Sequence, residues 1–303
     1  MPNRRPGQGT NPLRPLAQDL KSILQVTFDL LEQEVGVGSE AERLLLSRDL
    51  LGGGVREPGR EMIYLPQQLL NHTTDHLGGL IAAVNADGVV YAAITLLRPI
   101  LESTATAYWL LEPAIDDRER LRRWMNLRLA SLGETLRLVG PEERQSDRAL
   151  STGNQVYWIL HHGQQLGFTA AKQGNRQGLE PIWHLGRPVP GDGRLIAALL
   201  EEPTIGLDAG PIMHRLTSAV VHARLHGLML MTHKAGAVRQ DDGGWLTPVA
   251  VDLRTMTQYC APVIWGLRTC LDRAAVFYGW ESAAWHRATL KIMSSWRPHL
   301  HPA

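Results

Sequence analysis

The chain has 303 residues, with 31 Lys and Arg against 30 Asp and Glu, and 44% of its residues are hydrophobic. A net charge of +1 excludes a strongly basic nucleic-acid-binding tail, and the apolar content excludes a wholly disordered chain. Nine Trp and six Tyr stand against three Phe, so most large rings carry a polar group that needs a partner when buried.

Apolar residues recur at helical spacing through most of the chain, and no alternating strand pattern competes with them. In chain order we predict helices at 20–35, 39–51, 64–86, 89–112, 117–138, 142–171, 194–202, 212–236, 253–279 and 281–296, and a brief extended stretch at 245–251.

The predicted fold is an all-α single domain spanning 16–296, a helical bundle of about eight helices if the two short ones at 39–51 and 194–202 are not counted. Residues 173–211 hold seven Gly and five Pro, which predicts a loop-rich insertion, either an excursion or a lid. The tails at 1–15 and 297–303 are expected to be flexible.

The sequence favours a reducing compartment without membrane contact. The two cysteines, Cys260 and Cys270, are too few for a disulfide framework or a thiolate zinc site. No apolar run follows the charged first residues, so we expect no export signal. The apolar stretch at 219–232 is interrupted by His and Arg and is too short for a membrane span. We therefore expect a cytoplasmic protein.

Two opposite charges occur inside the most apolar predicted helix, 89–112. Arg98 and Glu102 are four residues apart, so they share one helical face and can pair directly. Burying either one unpaired would be costly. Two interpretations stay open: an internal salt bridge that orients neighbouring helices, or a site in which one or both charges act on a substrate.

A second polar group lies in the predicted helix 212–236. Arg215, Ser218, His222 and His226 occupy positions i, i+3, i+7 and i+11, which is one continuous helical face. An Arg and a His two turns apart can act on one phosphodiester, since the guanidinium binds the phosphate and the imidazole transfers a proton near neutral pH. The alternative is that Ser218 and His222 form structural hydrogen bonds in the core.

These patterns resemble a group of all-helical proteins common in actinobacteria, which is similar to the HEPN superfamily. The resemblance covers about 70–235 and rests on LRPILE at 97–102, WLLEP at 109–113, Asp117, Arg120, LTSAVVH at 216–222 and Gly227-Leu228. RNA-cleaving HEPN domains carry an Arg and a His a few residues apart, and Arg215 and His222 match that spacing with six residues between them.

The resemblance implies metal-independent attack of an RNA 2′-hydroxyl on the adjacent phosphate, usually across a homodimer interface. Arg215 would bind the scissile phosphate and His222 would act as general acid and base. Arg98, Glu102 and Ser218 would support them, and His226 would add a substrate contact. No cofactor is expected.

Two other functions are open. The first is a helical enzyme for an apolar or isoprenoid-like small molecule, with acid–base chemistry at Arg98, Glu102 and His222. Its cavity would be lined by Tyr108, Trp109, Trp124, Trp158 and Trp265. The second is a non-catalytic helical interaction module, in which the same polar residues only specify packing.

Two further clusters have mainly structural interpretations. His72 and His76 lie four residues apart, a spacing that can hold zinc, but no third ligand follows at a fixed offset. A polar helix face explains them without a metal. The acidic run at 116–119 suits the first turn of a helix. The arginines that follow are expected on its mixed-charge outer face: Arg118, Arg120, Arg122, Arg123 and Arg128.

Overall fold

The computed structural model describes residues 11–47, 58–86, 91–139, 141–173, 181–201, 209–224, 238–239, 245–246 and 251–300. The helices are α1 (Arg14–Leu31), α2 (Glu40–Leu46), α3 (Pro58–Asn85), α4 (Tyr91–Leu110), α5 (Asp117–Leu138), α6 (Asp147–Gln165), α7 (Asp192–Leu200), α8 (Ala209–Val221), α9 (Leu253–Tyr278) and α10 (Ala283–Leu300). A 3₁₀ turn spans Pro141–Glu143, and the strands are β1 (Ala170–Gln173), β2 (Ile182–Leu185), β3 (Val238–Arg239) and β4 (Trp245–Leu246).

The predicted all-α class is confirmed. The described residues form ten α-helices, slightly more than the predicted bundle of about eight; the two short predicted helices correspond to α2 and α7. The strands make only two antiparallel ribbons, β1 with β2 and β3 with β4. Contacts within the chain divide it into two compact units: 1–42, 65–111 and 192–303 make unit 1, and 43–64 and 112–191 make unit 2.

Helix α4 is the centre of unit 1. It packs against α7, α8 and α9, while α9 and α1 both pack on α10. Leu97, Ile100 and Leu101 on α4 are fully buried, as its nearly continuous apolar sequence predicts. The less buried residues fall on one stripe at helical spacing, which includes Arg98, Glu102 and Trp109.

Within unit 1, the loop after α1 packs against the end of α9. Gly279 follows Tyr278 and caps the end of α9 with a left-handed φ of 71°, a conformation that glycine adopts readily. The backbone N–H of Gly36 donates to the carbonyl of Tyr278 at 2.7 Å. The backbones approach so closely that a Cβ on Gly36 would lie 2.6 Å from the carbonyl oxygen of Gly279.

Two predictions for the elements of unit 2 are wrong. The helix predicted over 142–171 is α6, which ends at Gln165, and strand β1 follows from Ala170. Gly167 has a φ of 79° and ends the helical direction there. The ribbon of β1 and β2 was not predicted, because strands of four residues are too short to show a clear alternation of apolar and polar residues.

The arginines of α5 are also placed differently from the prediction. Arg120, Arg122 and Arg123 are buried, not on an outer face. Glu119 accepts from Arg122 at 2.6 Å and from Arg123 at 2.9 Å, so paired carboxylates reduce the cost of burying these charges.

Arg122 and Asn126 fasten β2 to α5. Both side chains donate to the backbone carbonyls of Leu185 and Arg187 at 2.7–3.0 Å, and Asn126 accepts from the backbone N–H of Leu185 at 2.7 Å. Part of the loop-rich stretch 173–211 is thus ordered as β2 within unit 2, and another part is α7, close to the helix predicted at 194–202.

The helix predicted over 212–236 stops early. Helix α8 ends at Val221, and Ala223 takes a left-handed φ of 48°, with its N–H bonded to the carbonyl of Val220. His222 therefore lies in the turn after α8. The predicted continuous face does not extend beyond α8, and His226 lies outside the described residues.

Candidate functional site

Arg98 and Glu102 form an ion pair on the partly exposed stripe of α4. Arg98 Nε donates to Glu102 Oε1 at 2.6 Å, and the two side chains are 19% and 30% exposed. The pairing expected from their spacing is confirmed. Because the carboxylate binds Nε, the N–H groups of Nη1 and Nη2 are not used by this ion pair.

The turn after α8 brings His222 to this pair. His222 Nε2 lies 3.5 Å from Arg98 Nη1, across 124 positions of sequence. A guanidinium only donates hydrogen bonds, so a hydrogen bond across this contact requires His222 Nε2 as its acceptor. His222 is exposed, and its backbone N–H donates to the carbonyl of Ser218 at 3.0 Å.

Arg215 and Ser218 are the other two residues of the predicted group that lie on α8. Ser218 is half-buried one turn before His222, whereas Arg215 is exposed. Within the described residues, Arg215 makes no hydrogen bond or ion pair with His222. The guanidinium beside His222 is therefore that of Arg98, which replaces Arg215 in the geometry expected from spacing.

The aromatic residues of unit 1 have different environments. Tyr108 is buried, with the Arg273 guanidinium over its ring and donating to its hydroxyl. Trp109 is half-buried on the stripe of α4 that carries Glu102. Trp265 on α9 has the Arg268 guanidinium 5.7 Å from its ring centroid. Tyr108 thus contributes to the packing of α4 on α9.

Unit 2 contains a separate cleft of about 710 Å³ between α5 and α6. Trp124 on α5 is almost fully buried, and Trp158 on α6 stacks at a tilt on His162. Both indoles line the cleft, as do Leu150 and Ile159. These apolar walls suit a flat organic group.

Three charged side chains line the same cleft: Glu61, Arg128 and Asp147. Arg128 donates to Gln155 Oε1 at 3.1 Å. In the described part of the chain no ion pair joins these three groups, so each can meet a ligand directly. With two carboxylates and one guanidinium, the lining has a net charge of −1 and disfavours a polyanion.

His72 and His76 form a third polar cluster, between α3 and α4. Their Nε2 atoms are 3.0 Å apart, and His72 Nδ1 lies 2.8 Å from the hydroxyl of Ser103 on α4. Burial lowers the pKa of His76, and the neighbouring His72 lowers it further, while Asp75 opposes the shift. No group of three or more His, Cys, Asp and Glu side chains suited to a metal occurs among the described residues.

Several residues of these sites are not predicted from the sequence. Ser103 follows Glu102 directly and was a detectable polar residue in an apolar helix, but its contact with His72 depends on how α3 packs. Glu61, Arg128 and Asp147 come from three different helices, and no spacing in the sequence relates them.

No helix among the described residues has the length and apolar content that a membrane crossing requires. No protein-family model, no curated protein and no solved structure matches the chain.

Proposed function

We propose that unit 1 cleaves RNA without a metal, with Arg98 binding the scissile phosphate and His222 transferring protons. The observation that carries this proposal is the 3.5 Å approach of Arg98 Nη1 to His222 Nε2, with Glu102 holding Arg98 from the opposite side of the guanidinium. Arg98 takes the role that spacing assigned to Arg215.

The contacts of Arg98 suit a phosphate. Glu102 uses Nε and His222 faces one N–H of Nη1, which leaves the second N–H of Nη1 and those of Nη2 to bind two phosphate oxygens as a fork. An oxygen bound at Nη1 lies within reach of the His222 imidazole, because only 3.5 Å separates the two nitrogens. The ion pair with Glu102 already holds the guanidinium in one position on α4, so less side-chain entropy is lost on binding.

The reaction needs only proton transfer and charge stabilisation. His222 takes the proton of the 2′-hydroxyl, O2′ bonds to phosphorus, and the bond from phosphorus to O5′ breaks. Arg98 stabilises the negative charge on the phosphate oxygens. The leaving O5′ takes a proton from an acid, which a second copy of His222 supplies in a homodimer. The products are a 2′,3′-cyclic phosphate and a 5′-hydroxyl.

The test is cleavage of a fluorescent single-stranded RNA in EDTA, comparing wild type with His222→Ala, Arg98→Ala and Arg215→Ala. We expect the His222 variant to lose at least about 100-fold, as removal of a general base does. The matched arginine variants distinguish the two guanidiniums: Arg98→Ala abolishes cleavage, and Arg215→Ala keeps most of it. Mass spectrometry should detect the cyclic phosphate.

Equal cleavage by wild type and His222→Ala would refute the proposal and indicate a contaminating nuclease. Cleavage by none of the proteins would also refute it. In that case Arg98, Glu102 and His222 only hold α4 and α8 together, as in an interaction module. A greater loss in Arg215→Ala than in Arg98→Ala would restore the original assignment.

A second candidate function rests on the cleft of unit 2, which suits a small aromatic cation. The half-buried Trp158 offers a ring face for stacking and cation–π contact, the buried Trp124 adds apolar wall, and the carboxylates of Glu61 and Asp147 outnumber Arg128. This candidate shares Trp124 and Trp158 with the small-molecule enzyme considered from the sequence. It differs from that enzyme in taking a cation instead of an apolar substrate and in not using Arg98, Glu102 or His222.

The probes are 2-phenylethylamine and phenylacetate, which share a ring and differ in charge. We expect the amine to shift the NMR signals of the Trp158 indole and the acid to bind more weakly. Trp158→Ala should abolish the amine's binding. Trp183→Ala is the matched control, because Trp183 lies in unit 2 but does not line this cleft. Binding of both probes that survives Trp158→Ala would contradict this assignment.

A further inference from the structure

The two imidazoles between α3 and α4 converge on one point. His72 Nε2 and His76 Nε2 lie 3.0 Å apart, with their rings at 78° to each other. Two nitrogens can approach so closely in two ways: one donates a proton to the other, or both bind the same cation. The surroundings of the pair favour the cation.

Ser103 fixes the orientation of His72. Its hydroxyl lies 2.8 Å from His72 Nδ1 and is held in the buried part of α4. When Nδ1–H donates to this oxygen, the Nε2 lone pair is directed toward His76. A histidine that binds a metal through one ring nitrogen usually donates a hydrogen bond from its other ring nitrogen in this way. Thr73, next to His72, also bonds across to Thr104 on α4, which keeps the two helices in register here.

The spacing of the nitrogens indicates the class of metal. With metal–nitrogen bonds of about 2.05 Å, a separation of 3.0 Å corresponds to an angle of about 94° at the cation. Tetrahedral ligands would be about 3.3 Å apart. An angle near 90° suits neighbouring positions of a tetragonal site, which Cu²⁺ and Ni²⁺ prefer.

The position leaves space for further ligands. His72 is exposed and His76 half-buried, so solvent reaches the side of the cation away from the helices. Asp75 is also exposed, one turn after His72, where its charge favours a cation. We propose that His72 and His76 form a binding site for a divalent transition-metal ion of the Cu²⁺ or Ni²⁺ class, completed by water or by an external ligand. This site is independent of the proposed RNA cleavage.

The experiment titrates the full chain with Cu²⁺ alone and records electron paramagnetic resonance spectra. We expect one tetragonal Cu²⁺ with nitrogen couplings from two imidazoles in the wild type. His72→Ala and His76→Ala should each lose that signal. Ser103→Ala should weaken binding about tenfold or more, as loss of a supporting hydrogen bond does.

The matched control is His161→Ala with His162→Ala, which removes two adjacent histidines of α6 and should leave the signal intact. His72 is exposed, so the His72→Ala variant tests the site even where the His76 variant fails to fold, with circular dichroism as the check. A wild type without the two-nitrogen signal shows a pair that shares only a proton and overturns the proposal. A signal that persists in His72→Ala overturns it too.

Discussion

Replacing Asn126 by Leu should destabilise unit 2 through a single buried backbone group. Asn126 accepts from the N–H of Leu185 and donates to the carbonyls of Leu185 and Arg187. Arg122 Nη1 also donates to both carbonyls, so they keep a partner in the variant. The N–H of Leu185, a fully buried residue, loses the acceptor that Asn126 provided.

The expected loss of stability comes from this one unpaired N–H group. An unsatisfied buried donor costs about 1–3 kcal/mol. Leu has as many side-chain heavy atoms as Asn, with the same branching, so it leaves no cavity. We expect the free energy of unfolding to fall by about 2 kcal/mol, equivalent to about a 30-fold change in the unfolding equilibrium.

The assay is urea denaturation followed by circular dichroism, with hydrogen exchange at the Leu185 amide as a local readout. The matched control is Asn154→Leu on α6, where the side chain is exposed and the change should stay within about 0.5 kcal/mol. An Asn126→Leu protein as stable as the control would refute the reasoning, because the bond to Leu185 would then contribute nothing.

Three other predictions concern unit 2, the thiols and unit 1. The hydrogen bond from Arg122 lowers the pKa of Glu119, so its stabilisation is complete above about pH 4.5 and is lost as the pH falls through the folded-state pKa. Acid titration of Glu119→Gln should therefore show a shallower loss of stability than wild type. Burial raises the pKa of Cys260 to about 12 and raises that of Cys270 as well. Ellman's reagent at pH 8 should detect both thiols only after unfolding, and rapid labelling of native protein would contradict their burial. Gly36→Ala places a methyl group against the Gly279 carbonyl and should cost about 1–3 kcal/mol. Gly153→Ala, within α6 and open around its Cα, should instead stabilise by up to about 1 kcal/mol, and thermal melts measure both.

The helices could be predicted where local signals agree. Asp116 precedes α5 and caps it, accepting from the N–H of Glu119 at 2.7 Å, as the acidic start indicated. The end of α8 could not be predicted, because Ala223 carries none of the usual marks of a helix stop. The buried arginines of α5 were misassigned because their burial depends on Glu119 and on carbonyls of β2 more than fifty positions away.

One part of the candidate site could likewise be predicted from the sequence and another part could not. Arg98 and Glu102 could be paired from sequence because a helix fixes residues four apart on one side. The neighbour relation of Arg98 and His222 depends on how α8 packs against α4, which no local pattern encodes. Spacing within one helix therefore favoured Arg215, whereas packing between two helices brings Arg98 to the imidazole.

Under the proposed chemistry, the left-handed turn at Ala223 affects proton transfer by His222 but not phosphate binding by Arg98. Arg98 is held on helix α4 by its ion pair with Glu102, but His222 is held by a turn whose Ala223 conformation costs roughly 1–2 kcal/mol in a residue with a Cβ. A glycine there would remove that cost and also allow the turn many more conformations. Under the proposed chemistry, affinity for the phosphate is then set by a rigid group, and the rate of proton transfer by the fraction of time that this turn keeps the imidazole aligned.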